Sequence, residues 1–275
     1  MKISKIHALY FSGTGTTEKI VKTLAQGLAE KLEVGVDYIN FTVPKGREVE
    51  QQFGADELVI VGVPVYAGRV PNVLLPYLTE KLHGNGGMAI PIVLFGNRNF
   101  DDGLIELRNI LEKNGMHTVA GAGFVGEHAF SRTLGAGRPD AADLAELDAF
   151  VQATVEKICH LEHVPNEPIV VRGEDPIRPY YTPRDRHGNP VNILKVKPLT
   201  DLDKCTQCGL CAKLCPMGSI DKTDASLITG ICIKCCACVK KCPMDAKYYT
   251  DEKYLYHQHE LEEQFERRAE PEWFV

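Results

Sequence analysis

No stretch of this 275-residue chain is apolar for long enough to cross a bilayer. Nothing at its start reads as a secretory segment. Positive charge is also scarce, since 31 Lys and Arg stand against 37 Asp and Glu for a formal net charge of -6. That balance gives no reason to invoke nucleic acid or an anionic membrane as a partner. A protein without a membrane span is expected, and its free thiols imply a reducing, cytoplasmic setting. Its length is comfortable for two domains, with enough apolar content for one substantial core.

Cysteine is plentiful and crowded. Cys205, Cys208, Cys211 and Cys215, followed by Pro216, form a C-x2-C-x2-C-x3-C-P run, and Cys232, Cys235, Cys238, Cys242 and Pro243 repeat it at the same spacing. Three thiolates two residues apart curl the backbone around three corners of a [4Fe-4S] cube, while the fourth corner faces away. Zinc sites use C-x2-C pairs too, but not two four-Cys runs each closed by C-P. A disulfide framework fits a long, reducing-type protein still less. The pattern resembles two-cluster bacterial ferredoxins, in which the fourth Cys of each run reaches across to the other cluster. That resemblance implies Cys205, Cys208, Cys211 and Cys242 around one cluster, and Cys232, Cys235, Cys238 and Cys215 around the second. A unit this small folds with help from its metal. Cys236, where many ferredoxins have Gly, reads as a packed bystander, and Cys159 as a small buried hydrophobe.

The first half of the chain has a different texture. Ile3 to Phe11 is an apolar run suited to a strand buried on both faces of a parallel sheet. Ser12-Gly13-Thr14-Gly15-Thr16-Thr17 follows, and then Glu18 to Leu32 carries apolar residues at helical spacing. Strand, hydroxyl loop, helix is a phosphate site, because unpaired N–H groups and the positive dipole end stabilise an anion there. The loop lacks the Lys and the spacing of a nucleoside-triphosphate P-loop. It resembles the S/T-x-T-G-x-T loop of flavodoxins, which binds the phosphate of FMN.

Two further strands end in suitable loops: Leu58 to Val63 before Pro64-Val65-Tyr66-Ala67-Gly68-Arg69, and Ile90 to Phe95 before Gly96-Asn97-Arg98-Asn99-Phe100 and a helix from Gly103 to Lys113. In the flavodoxin strand order 2-1-3-4-5 these loops fall where FMN binds. The resemblance implies that Tyr66 stacks on the flavin and that backbone N–H groups near Gly68 and from Gly96 to Asn99 approach the ring. Gly121-Ala122-Gly123-Phe124-Val125-Gly126 is a literal G-x-G-x-x-G. It lies inside the expected fifth strand with no helix opening after it, so a close helix contact is the better reading. His128, in the next loop, is a candidate proton donor, and Ser131 and Arg132 are candidate substrate contacts. With no second catalytic group in view, the favoured reading is that the loop only walls off the cofactor.

A helix is expected from Asp140 to about His160. The expected organisation is a flavin domain over residues 1–164, a Pro-rich connector over 165–200, a cluster domain over 201–250 and an acidic tail over 251–275. The connector could tether or clamp, with part of it packed onto a domain. The tail reads as a solvated helix with an aromatic plug at Trp273 and Phe274, or as a docking segment for a redox partner. Residues 201–250 carry seven basic and five acidic side chains, yet two loaded clusters contribute about -4.

Taken whole, the chain resembles the fused flavodoxin-ferredoxin proteins of anaerobic bacteria and archaea. That resemblance implies an α/β flavodoxin-like doubly wound sheet plus a small α+β two-cluster ferredoxin domain, with FMN and two [4Fe-4S] clusters as cofactors. The function it implies is electron transfer between clusters and flavin, a converter between single and paired electrons, with ferredoxins or reductases as partners. The alternative is an FMN-dependent reductase of a small organic substrate. An NAD(P)H oxidoreductase is disfavoured for want of a dinucleotide site.

Overall fold

The computed structural model describes residues 2–275. Strands β1 (Lys5–Tyr10), β2 (Gly35–Asn40), β4 (Glu57–Pro64), β6 (Met88–Phe95) and β8 (Gly121–Val125) lie parallel in the order β2-β1-β4-β6-β8. This is the doubly wound order expected from the sequence. Short β3 (Gln51–Phe53) and β5 (Leu82–Gly84) pair apart from it, and β7 (His117–Thr118) pairs with β6 before β8 begins. Helices α1 (Thr16–Leu32) and α4 (Ala141–His160) pack together on one face, with Ile20, Val21, Leu24 and Leu28 of α1 buried against the sheet. The opposite face carries α2 (Leu75–Glu80) and α3 (Gly103–Lys113). Strand β6 is apolar throughout, and β1 and β4 are apolar apart from Lys5, His7 and Glu57 near their starts, because both faces are covered. Asp140 caps α4 through the N–H groups of Ala142 and Asp143, a reciprocal capping arrangement.

The second unit begins with β9 (Leu199–Thr200), which pairs antiparallel with β10 (Lys247–Tyr248) and so closes the cysteine-bearing segment upon itself. Between them lie α5 (Leu210–Leu214) and α6 (Ala237–Lys240). Among the described residues no helix is long and apolar enough to cross a membrane.

The connector clamps. Buried Asp102 accepts hydrogen bonds from Arg178 N and Nε at 2.9 Å each and from Glu174 N at 3.0 Å. Tyr180 donates to Val70 O, and Tyr181 N donates to Ala67 O. Helix α7 (Glu252–Gln264) differs from a solvated tail helix, since Tyr254, His257 and Leu261 are buried and Val191 and Ile193 of the connector pack on Tyr254. Its acidic residues have local partners, as Glu260 accepts from Arg186 and Glu262 from Ser131. Beyond it, β11 (Glu272–Phe274) adds an antiparallel strand to β8 at the sheet edge, with Trp273 6.0 Å from Phe150. Cys159 is exposed in the last turn of α4, not buried as its apolar neighbours suggest.

Candidate functional site

The Thr-rich loop leaves β1 and enters α1 through Gly15, whose φ of 111° favours a residue without a side chain. Ser12 Oγ accepts from Gly15 N and Glu18 N, both at 3.1 Å, so this hydroxyl caps the loop itself. The N–H groups of Gly13, Thr14, Thr16 and Thr17, and the hydroxyls of all three threonines, have no partner among the described residues. Thr17 is buried with its methyl 3.2 Å from the Cβ position of Gly62, which leaves its hydroxyl on the loop side. Unpaired neutral donors at a helix start fit a phosphate.

The two ring loops are organised differently from their side-chain chemistry in the sequence. Tyr66 and Arg69 exchange backbone hydrogen bonds around Ala67 and Gly68, both at positive φ. Pro64 ends β4, and Val65 N donates to Leu94 O while its side chain packs on Gly103. Arg69 is turned to Glu106 (Nε to Oε2 3.0 Å) and lies over Tyr180. Asn97 Nδ2 donates to Phe265 O and Arg267 O at 2.7 Å each, tying down the segment before β11. Arg98 pairs with Asp101 and covers Tyr181, and Asn99 Oδ1 accepts from Asp101 N and Arg172. Phe100 is fully buried between Phe95 and Gly123, with Arg172 3.8 Å above its ring. The side chains of Arg69, Asn97, Arg98, Asn99 and Phe100 therefore hold connector, tail and core. What these loops retain for a flavin ring is Tyr66 and backbone N–H groups, those of Gly68, Asn97 and Asn99 having no partner among the described residues. The G-x-G-x-x-G string sits in β8 and its exit, and its glycines do allow close helix contacts, Gly121 with Leu104 of α3 and Gly126 with Thr16 of α1, while Gly123 makes room for the ring of Phe100.

The cysteine runs fold as two copies of one backbone. Gln207 and Lys234, Gly209 and Cys236, and Gly218 and Asp245 all have positive φ, each pair at equivalent places in its run. One cavity is lined by Cys205, Cys208, Cys211 and Cys242, together with Cys238. The other is lined by Cys215, Cys232, Cys235 and Cys238, together with Cys236. The fourth cysteine of each run thus faces the cavity of the other run. Each also accepts an N–H four residues on, Ser219 N to Cys215 Sγ and Ala246 N to Cys242 Sγ, both 3.3 Å. Such N–H···S contacts tune a cluster's potential. Among the described residues no three His, Cys, Asp or Glu side chains converge as ligands of a single ion do.

Cys236 occupies, at φ 56°, the left-handed position that glycine fills in the first run. Its thiol is buried 3.4 Å from Tyr254 Oη, outside both four-thiol sets, and burial pushes it up to about 11.

The second cavity lies against the flavin loops. A Cβ placed on Gly13 would meet Cys235 Cβ at 3.2 Å and Sγ at 3.6 Å. Burial, with the thiols of Cys235, Cys236 and Cys232 close by, pushes the Tyr66 phenol well above its ordinary range. Lys240 donates from α6 to Glu127, to His128 O at 2.7 Å and to Ser131 O at 2.6 Å. Arg47 donates to Phe41 O, Thr42 O and Pro216 O, the last at 2.6 Å. His128 packs on Gly96, and its Nδ1 accepts from Phe130 N. Burial first, then Lys240, holds this imidazole neutral down to about 3. Ser131 is buried against Glu262, and Arg132 pairs with Asp245 of the cluster unit, so neither faces an open substrate site.

A model of the 4Fe-4S binding domain family matches residues 198–221, which hold the first cysteine run. The chain thus joins a sheet of flavodoxin-like strand order to a segment that matches the 4Fe-4S binding domain family. Solved structures similar to part of this chain include a flavodoxin from the domain Archaea, at 17% identity and TM-score 0.42, covering 57% of this chain and 99% of its own. Flavodoxin 2 from Bacillus cereus matches at 18% identity and TM-score 0.42, over 56% and 99% respectively. The flavodoxin of Streptococcus pneumoniae TIGR4 matches at 20% and 0.40, over 56% and 99%. No curated protein matches by sequence. An iron-sulfur domain joined to a flavodoxin scaffold supports a redox, electron-transfer role. Sequence reasoning missed the residues that join the two units, Arg47, Glu127 and Lys240. The one signal available was the Lys240-Lys241 pair between two cysteine ligands.

Proposed function

We propose that this protein passes electrons between two [4Fe-4S] clusters and an FMN held by the Thr-rich, Tyr66 and Gly96 loops. The contact between Gly13 and Cys235 carries the proposal, because it brings a ligand of the second cavity against the phosphate loop. FMN when bound supplies exchange of one or two electrons, where each cluster exchanges one. The chain's own part is positional. Tyr66, on one of the ring loops, is near the thiols of the second run, and Lys240 fixes α6 to the loop after β8.

The first cavity reaches the surface. Cys208 is exposed there, and Met244 on its lining is 45% exposed, which suits exchange with a redox protein partner in a reducing cytoplasm. Reduction of a small organic substrate has less support. The ring loops are crossed by the connector and faced by the cluster unit, and His128 is neutral and crowded by Gly96. The test is an anaerobic redox titration of the full chain followed by optical and spin-resonance spectra. The proposal requires about eight irons, acid-labile sulfide and one FMN per chain, all titrating reversibly. Zinc in their place, or no bound flavin, overturns it.

A further inference from the structure

We propose that Lys241, carried by the ferredoxin domain, is the cationic partner of the phosphate bound in the flavodoxin domain's Thr-rich loop. The inference rests on the flavin reading above. Lys241 Nζ lies 3.9 Å from the Cβ position of Gly15, at the entrance to α1. The loop contains no cation of its own. The lysines of α1 nearest to it are committed, Lys22 to Glu18 at 2.6 Å and Lys19 to Pro139 O at 2.9 Å. The Lys241 ammonium, by contrast, makes no hydrogen bond or ion pair among the described residues and has the Glu18 carboxylate as a neighbouring charge, although the ammonium of Lys240 makes three hydrogen bonds.

The loop itself is prepared for an anion. Four N–H groups and three threonine hydroxyls lack partners, and Thr17, buried with its methyl on Gly62, keeps its hydroxyl on the loop side. Neutral donors alone hold a phosphate monoester dianion by dipoles. An ammonium adds a charge-assisted contact that neutral donors do not supply. Because that ammonium belongs to the other domain, phosphate binding and domain docking become linked, each favouring the other by the same factor.

The test uses the cluster-loaded full chain, freed of flavin and titrated anaerobically with FMN and with riboflavin by quenching of flavin fluorescence. Lys241→Gln is expected to weaken FMN about tenfold and to leave riboflavin within about twofold. Lys241→Arg should restore most of the loss, and Lys222→Gln, on the exposed face of the same domain, should change neither. Iron and sulfide counts on the same samples exclude cluster loss as the cause. The FMN-to-riboflavin ratio on one preparation cancels any general loosening of the fold. Inorganic phosphate should compete with FMN in the wild type and less effectively in Lys241→Gln. Equal FMN affinity in wild type and Lys241→Gln, or an equal loss for both flavins, overturns the assignment of Lys241 while leaving the flavin site in place. Failure of the wild type to bind either flavin overturns the flavin reading, and this assignment with it.

Discussion

Gly13 of the phosphate loop and Cys235 of the second cysteine run are in contact, with only 3.2 Å between the Cβ position of one and the Cβ of the other. Any larger side chain at residue 13 has to displace a residue that lines the second cavity. Gly13→Val is therefore expected to weaken docking by about 1–3 kcal/mol, as overpacking does. Hydrogen exchange should rise in residues 12–17 and 232–240 together, while iron content stays constant. Unchanged protection in both segments would show that the two do not share an interface in solution.

Lys240 is the other half of that docking. Replacing it with Ala removes its pair with Glu127 and its hydrogen bonds to His128 O and Ser131 O, a loss of about 1–3 kcal/mol for bonds to a charged group. The loop over residues 126–138 should become cleavable by trypsin, with Arg132 the site exposed first. A digestion pattern identical to that of the wild type contradicts the latch.

Crossed ligation makes a prediction that uncrossed ligation does not. Cys215 lines the second cavity although it belongs to the first run. Cys215→Ser should therefore remove the same cluster as Cys232→Ser, halving the iron, and leave the cluster lost in Cys205→Ser. Spin-resonance spectra of the three reduced variants distinguish these outcomes. Cys236→Ala should keep both clusters, since the Cys236 thiol is outside both four-thiol sets and bonds to Tyr254.

The connector's grip depends on the charge of Asp102. Arg178, with the N–H groups of Arg178 and Glu174, holds this carboxyl down at about 2. A depressed folded-state value means that the stabilisation is complete above the ordinary carboxylate range, near 3.8, and is lost as pH falls from there towards about 2. Asp102→Asn should reproduce the loss at neutral pH, and proteolysis within residues 172–186 should then accelerate with no pH step left in that window. Cleavage at the wild-type rate would contradict the clamp.

Much of this was legible before any coordinates. Alternation of buried strand and helix gave β1, α1, β4, β6, α3 and α4 to within a few residues, because both faces of the sheet are covered and the apolar runs have few interruptions. The repeated cysteine spacing marked both cavities. The roles of Arg69, Asn97 and Arg98 were hidden. A polar residue in a loop looks alike whether it serves a ligand or a distant backbone carbonyl, and Asn97 bonds to residues 168 and 170 positions away. The tail misled for a related reason. Its acidity suggested solvent, whereas Glu260 and Glu262 have partners at Arg186 and Ser131, and β11 meets a sheet edge encoded about 150 residues earlier.

The most direct measurement is the microwave-power saturation of the spin-resonance signal of half-reduced flavin, with the clusters reduced, in the wild type and in Cys215→Ser. A paramagnetic cluster beside the flavin loops should make the wild-type signal hard to saturate, and losing the second cluster should make it saturate easily. The same easy saturation in both proteins would contradict the placement of an iron-sulfur centre against the flavin loops.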